Sequence, residues 1–174
     1  GRYLAAWRAA SSHSSIDGKI YGAWFTKEAG WSATSTLFPS GISGGDVRDV
    51  GLSVDGSTVI LTFTHRPTTT GHKSYFIKSL DNGVSWSGPT QINFGWDGYT
   101  FVSAPMTVLP DGSWVIGAYG KNVADELQSI GVVRSTNKGS TWSTRVDLIG
   151  PGHYSEVNIV STGGSGLLAL IRTT

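Results

Sequence analysis

"SLDNGVSWSG", residues 79–88, packs Asp81, Asn82 and Gly83 into one turn and sets Trp86 three residues after the glycine. "STNKGSTWST", residues 135–144, repeats the arrangement, with Asn137 in the aspartate's place and Gly139 and Trp142 at the same offsets. A short polar side chain can accept backbone N–H bonds inside its own turn, and glycine takes a conformation that other residues resist. The tryptophan then pins the turn by packing into the sheet. Two copies of so specific a turn point to a repeated structural unit.

Working outward, Trp31, Trp86 and Trp142 fall 55 and 56 residues apart. The strand-like runs "RYLAAWRA", "STVILTFT", "SWVIGAYG" and "GLLALIRT" start at 2, 57, 113 and 166, on nearly the same beat. Three are preceded by tight-turn pairs, Asp55-Gly56, Asp111-Gly112 and Gly163-Gly164, of the kind that joins hairpins. In the third repeat the strands read "VSAPMTVLP", "SWVIGAYG", "SIGVVRST" and "TRVDLIG", with the quoted turn between the third and the fourth. A lone four-stranded sheet cannot bury both faces, so the expected fold is all-β, a β-propeller of stacked antiparallel blades. Approximate blades are 1–38, 39–94, 95–149 and an incomplete 150–174, within a single domain. In the first unit "TKEAGWSA" keeps Gly30 and Trp31 without the full spacing, so that turn must differ. "NVADELQ", 122–128, forms at most a short turn. The strands number three, four, four and two, short of a closed ring. Another chain or a further segment is therefore expected to close it, and the open sheet faces favour association, a homo-oligomer included.

Composition narrows the function classes. Charged residues make up 14% of the chain and the net charge is +1, which supplies no electrostatic reason to expect nucleic acid or a membrane surface. No apolar run reaches the roughly 20 residues of a spanning helix. The chain has no cysteine, hence no disulfide or thiolate site, and His13, His65, His72 and His153 lack metal-ligand spacing. Neither a metal nor a cofactor is expected. The strand order places residues 11–18, 39–49, 65–73, 93–104, 121–128 and 150–157 at one mouth, together with the end after Arg172, and the quoted turns at the opposite end.

The pattern S-x-D-x-G-x-[ST]-W resembles the Asp-box, or bacterial neuraminidase repeat, of sialidases and other six-bladed propellers. Asp81, Gly83, Trp86, Asn137, Gly139 and Trp142 are then structural. "HYSEVNIVSTGGSGLLALIR" is similar to a sialidase segment in which a glutamate precedes a strand and an arginine follows the next. The resemblance implies that Glu156 assists the nucleophile and that Arg172 binds the substrate carboxylate. "LAAWRAASSHSSIDG" resembles the segment bearing the acid/base aspartate, which implies Asp17 as general acid and Arg8 as a neighbouring substrate-binding residue. A turn-forming role for Asp17 and an ion pair at a blade edge for Glu156 and Arg172 remain open beside these. Arg48 and Arg66, with Asp46 and Asp49 nearby, fall at mouth positions where surface salt bridges would serve equally. Trp96 and Tyr99, in "FGWDGYTF", are candidates for stacking on sugar faces or for packing between blades.

The resemblance implies a sialidase-like glycoside hydrolase with a sialylated or other carbohydrate ligand, secreted or surface-exposed, a phage receptor-degrading protein being one variant. Guanidinium matches the carboxylate of sialic acid through paired charge-assisted bonds. A tyrosine serves as nucleophile in this family. Tyr154 does not match its position, so this chain alone should lack a complete site. The competing expectation is a non-catalytic propeller used for glycan recognition or assembly.

Overall fold

The computed structural model describes residues 1–37, 42, 44–68, 71–164 and 166–173. The boundary expected at 38/39, and parts of the loops at 39–49 and 65–73, lie outside the described residues. Among those described there is no helix, and the strands form four separate antiparallel sheets in chain order.

The first sheet holds β1 (Arg2–Ala9), β2 (Lys19–Thr26), β3 (Gly30–Trp31) and β4 (Ser35–Thr36), the last two both pairing with β2. The second runs β5 (Asp46–Asp55), β6 (Thr58–Arg66), β7 (Lys73–Ser79) and β8 (Thr90–Gln91) in order. The third contains β9 (Tyr99–Phe101), β10 (Thr107–Val108), β11 (Trp114–Lys121), β12 (Gln128–Ser135) and β13 (Val146–Gly152). A hairpin of β14 (Tyr154–Gly163) and β15 (Gly166–Thr173) forms the fourth.

Alternation along each strand explains the stacking. On β6, Ile60 enters the core between the second and third sheets, whereas Leu61 and Phe63 enter the core shared with the first. Phe76 and Ile77 on β7 divide the same way. On β11, Trp114, Ile116 and Ala118 face back toward the second sheet, and Val115 meets Val157 and Ile159 of β14. Successive side chains of a strand point to opposite faces, so a sheet covered on both sides reads as a continuous apolar run. Each buried Phe or Leu contributes roughly 1.5–3 kcal/mol relative to exposure.

One expected strand is interrupted. The sequence predicts a single strand over 102–110, but β9 and β10 flank a non-strand stretch containing Pro105, which cannot donate to a ladder. Its backbone groups are satisfied across the sheet interface instead. Thr64 Oγ1 bonds the carbonyl and the N–H of Val102, both at 3.1 Å, and Thr62 Oγ1 donates to the Ala104 carbonyl at 3.1 Å.

The two quoted turns are built alike. Asp81 Oδ1 accepts from the N–H groups of Val84 and Ser85 at 3.1 and 2.8 Å, while Ser79 Oγ accepts from Gly83 N–H at 2.6 Å. Asn137 Oδ1 and Ser135 Oγ repeat this with Thr141 and Gly139 N–H, at 2.8 and 2.9 Å. Gly83 and Gly139 have φ of 83° and 82°, and a Cβ at either would strike an aromatic ring of the preceding sheet, Trp24 or Phe76. The turns therefore also seat one sheet on the next. Asp55, in the hairpin turn of the second sheet, adds a latch by accepting from Trp114 Nε1 at 2.8 Å and Lys138 Nζ at 2.6 Å. The first unit does differ: its turn is closed by Thr26 Oγ1, which accepts from Ala29 N–H at 3.0 Å, Gly30 (φ 71°) and Trp31 form β3, and Trp31 is exposed.

Candidate functional site

β1 carries the chain from the turn end, where Arg2 bonds the Asn82 carbonyl, to the opposite end, where Arg8 meets the second sheet. Arg8 Nε donates to Asp46 Oδ1 at 2.8 Å, and Arg48 Nε to Asp46 Oδ2 at 2.6 Å. Asp46 is completely buried, so its two ion pairs do not lie at the surface. The arginines' remaining N–H groups go to loop carbonyls: Arg8 to Ser12 and Ser15, Arg48 to His13 and Ser15, at 3.2–3.5 Å. Both guanidiniums thus hold the 11–17 loop rather than stand open to a ligand. Gly18 is required here, since a Cβ would collide with Asp46 Oδ1 and the Arg8 guanidinium.

That loop presents Asp17. Its carboxylate accepts from Ser11 N–H at 3.2 and 3.3 Å and from the Ser15 hydroxyl, which hold its pKa down at about 2.

Glu156 and Arg172 meet at the end of the last hairpin. Arg172 Nη1 donates to Glu156 Oε1 at 3.0 Å, with both side chains about half exposed. Ser155 pairs with Arg172 and Val157 with Ile171, so Glu156 is a bulged residue, with φ of 38°. The pair lines a depression of about 340 Å³ with Ser103 and Asn158. Larger hollows, of about 590 Å³ beside Arg2 and Trp24 and about 410 Å³ beside Asp111 and Leu167, lie at the turn end, away from these carboxyls.

Asp49 occupies the matching place in the second sheet. Arg48 pairs with Thr64 and Gly51 with Thr62, which leaves Asp49 in a bulge with φ of 57°. Four non-glycine residues among those described have positive φ. Two, Asn82 and Lys138, belong to the quoted turns, and the other two are Asp49 and Glu156. Bulges next to active sites re-aim side chains, and a strained φ persists only where its surroundings impose it. Burial raises the Asp49 pKa to about 6; Arg48 opposes the shift, and Glu156 and Asp46 add to it. Tyr119 stacks on Phe101 at 5.0 Å, and its hydroxyl pKa is pushed up by burial and then by Asp49 and Glu156. Tyr119 thus feels both carboxyls at once.

Of the remaining candidates, Tyr99 donates its hydroxyl to Gln128 Oε1 at 2.7 Å beside this cluster. Arg66 closes the β5–β6 ladder opposite Asp46 and makes no side-chain hydrogen bond among the described residues. Trp96 is a correction: it is buried in the core, stacked on Phe94 at 5.8 Å, with the Arg145 guanidinium 4.3 Å over its ring. It packs between strands and offers no face to a sugar. No group of three or more metal-ligating side chains occurs among the described residues.

Sequence reasoning passed over the serine after each repeat tryptophan. Ser32, Ser87 and Ser143 each donate a backbone N–H to a carbonyl of the strand that precedes the turn and accept that residue's N–H on Oγ, at Trp24, Lys78 and Arg134. The recurrent Trp-Ser pair was the available signal. Tyr119 carried none, because its role depends on groups from other sheets.

Stacked four-stranded sheets, repeated turns at one end and a cluster of acids and arginines at the other define a β-propeller with a polar mouth. The chain belongs to the BNR repeat-like domain family, whose model matches residues 1–172, and so to the sialidase-type propellers. No curated protein matches its sequence. Among solved structures it resembles the Hadza microbial sialidase Hz136, at TM-score 0.78 and 16% identity, over 99% of this chain and 40% of that one. It also resembles a Trypanosoma rangeli sialidase in complex with sialic acid (0.75, 16%, over 99% and 32%). A third is the GH93 α-L-arabinofuranosidase of Fusarium graminearum, in complex with arabinobiose (0.66, 14%, over 99% and 54%). The chain therefore spans between a third and just over half of those proteins, and it shares the fold of these glycoside hydrolases.

Proposed function

We propose that the chain supplies part of the active site of a propeller glycoside hydrolase acting on sialic acid-containing glycans. The observation that carries this reading is the Glu156–Arg172 pair: an arginine with N–H groups to spare, hydrogen-bonded to a bulged, strained glutamate at the mouth. Arg172 turns its free N–H groups to the substrate carboxylate through charge-assisted bonds. Glu156, freed from that contact, accepts the phenolic proton of a tyrosine nucleophile contributed from outside this chain. Arg8 and Arg48 act as positioning residues, holding the 11–17 loop through Asp46, and Arg66 adds positive potential at the same mouth.

Turnover of a sialoside by the Arg172→Ala variant tests the reading against that of a neutral-sugar glycoside with the same leaving group. Loss of a charge-assisted contact worth about 1.5–3 kcal/mol should lower sialoside kcat/KM by roughly 10–200-fold and leave the neutral substrate's unchanged. Sialoside turnover equal to that of the parent protein, with folding intact by circular dichroism, would sink it.

A further inference from the structure

Glu156 stands in a segment that local structure alone does not favour. Its φ of 38° lies in the left-handed region, and it is bulged out of the β14–β15 ladder. Beside it, the Ser155 hydroxyl is buried without a hydrogen-bond partner among the described residues. Such a segment persists only where neighbouring parts of the fold impose it. Downstream the constraint is packing: Val157 and Ile159 lie against Gly117 of β11, where a Cβ would come within 3.0–3.2 Å of them. Upstream it is a side chain. Gln128, the first residue of β12, donates from Nε2 to the carbonyl of Tyr154, two residues before Glu156. Its Oε1 accepts the Tyr99 hydroxyl at 2.7 Å. Gln128 also stands opposite Gly152, the last residue of β13, so it holds the chain where it crosses from the third sheet to the fourth. Gly152 in turn leaves room for the Tyr154 ring, which a Cβ there would strike.

The polarity of this chain of bonds is fixed by one end. A backbone carbonyl only accepts, so Gln128 must turn Nε2 to Tyr154 and Oε1 to Tyr99, and the phenol must then donate. Tyr99 thus locks the amide in the one orientation that can hold Tyr154. We propose that Gln128, oriented by Tyr99, is a positioning residue for the Glu156–Arg172 pair. It fixes where the crossover enters β14, and with it the bulge that aims Glu156 at Arg172. The catalytic consequence rests on the glycoside hydrolase reading above, in which Glu156 takes the nucleophile's proton. Reactions between held groups are sensitive to placement, and a shift of about 1 Å costs roughly 10²-fold in rate.

The test uses two uncharged variants. Gln128→Met keeps the side chain's bulk and loses both bonds; Tyr99→Phe keeps the ring and loses only the orienting hydroxyl. Lys138→Ala, which breaks the latch to Asp55 at the turn end, controls for a general loss of stability. In the complete protein, with the tyrosine nucleophile present, Gln128→Met should lower sialoside kcat by roughly 10–100-fold and change KM by less than about threefold. Tyr99→Phe should give a smaller loss of the same kind. The double variant should be no worse than Gln128→Met, because without the amide the hydroxyl has nothing to orient. Lys138→Ala should lower Tm and leave kcat unchanged. A second measurement needs no turnover: the Glu156 carboxyl-carbon and Arg172 Nε–H NMR signals should move in both mouth variants and stay in place in Lys138→Ala. Unmoved signals, or parental kcat in Gln128→Met with folding intact by circular dichroism, overturn the assignment while the parent's turnover upholds the glycosidase reading. Should Gln128→Met not fold, Tyr99→Phe decides by the same readouts. If the parent cleaves no sialoside, that reading falls, and the NMR signals alone decide whether Gln128 places the pair.

Discussion

Asp17, Asp46 and Asp49 are the same chemical group within one corner of the molecule, and their surroundings give them three different uses. Hydroxyl and amide donors hold Asp17 ionised, two guanidiniums hold the buried Asp46 as a structural anion, and Asp49 is half-buried in a bulge with no donor among the described residues. Asp49 therefore costs stability. Its folded pKa of about 6 lies above the roughly 3.9 of an unfolded aspartate. The neutral form's advantage is complete below the unfolded value and is lost as pH rises through the folded one. Two pKa units correspond to about 3 kcal/mol, so Asp49→Asn should stabilise the fold by up to that amount at pH 8 and by little at pH 3. Paired thermal or urea unfolding at the two pH values measures it, and an equal effect at both would contradict the half-buried environment without a donor among the described residues.

At the scale of the element, the repeated turns show how one atom can be exchanged without loss of architecture. Asp81 accepts from the Ser85 hydroxyl at 2.6 Å, whereas Asn137 uses its amide nitrogen to donate to Thr141 Oγ1 at 2.8 Å. The side-chain bond is reversed, the bonds from Ser85 and Gly83 N–H are repeated by Thr141 and Gly139, and Ser140 N–H goes to the Asn137 carbonyl where Val84 N–H went to the Asp81 carboxylate. Only the aspartate version responds to acid. Hydrogen bonds from Ser85 and then Ser79 hold the Asp81 pKa below the ordinary carboxylate range. Its contribution is thus present above the unfolded value near 3.9 and is lost as pH falls through the lower folded one. Asp81→Asn should unfold with a weaker acid dependence below about pH 4 than the parent, while Asp81→Ala should be less stable at neutral pH. Thermal melts at pH 7 and pH 2.5 distinguish these outcomes. The turn's Asp-x-Gly spacing was legible in the sequence because its bonds are local, closing within five residues. The interruption at 102–106 was not, because the threonines that replace its ladder partners lie on β6, some 40 residues away.

At the scale of the whole molecule, stability comes from three cores, each shared between neighbouring sheets. The first and last sheets have covering on one face only. Val160, Leu168 and Leu170 stand exposed on the last hairpin, and Tyr3 and Trp31 on the first sheet. Contiguous apolar surface of this kind favours association. Light scattering on the isolated chain at micromolar concentration should give a mass above the 18.4 kDa of a monomer. Leu168→Lys with Leu170→Lys should lower it, and a monodisperse parent at the monomer mass would refute the expectation.

By itself the sequence determined the period, the all-β class, most of the long strands and the turn chemistry. All of these follow from contacts between residues close in the chain, or from alternation along a strand. Only the tertiary structure decided that Trp96 is core, that Arg8 and Arg48 converge on one buried aspartate, and that Asp49 is left without a donor. Those outcomes depend on which sheets stack on which, and desolvation and charge are set by every neighbour in space, however distant in sequence.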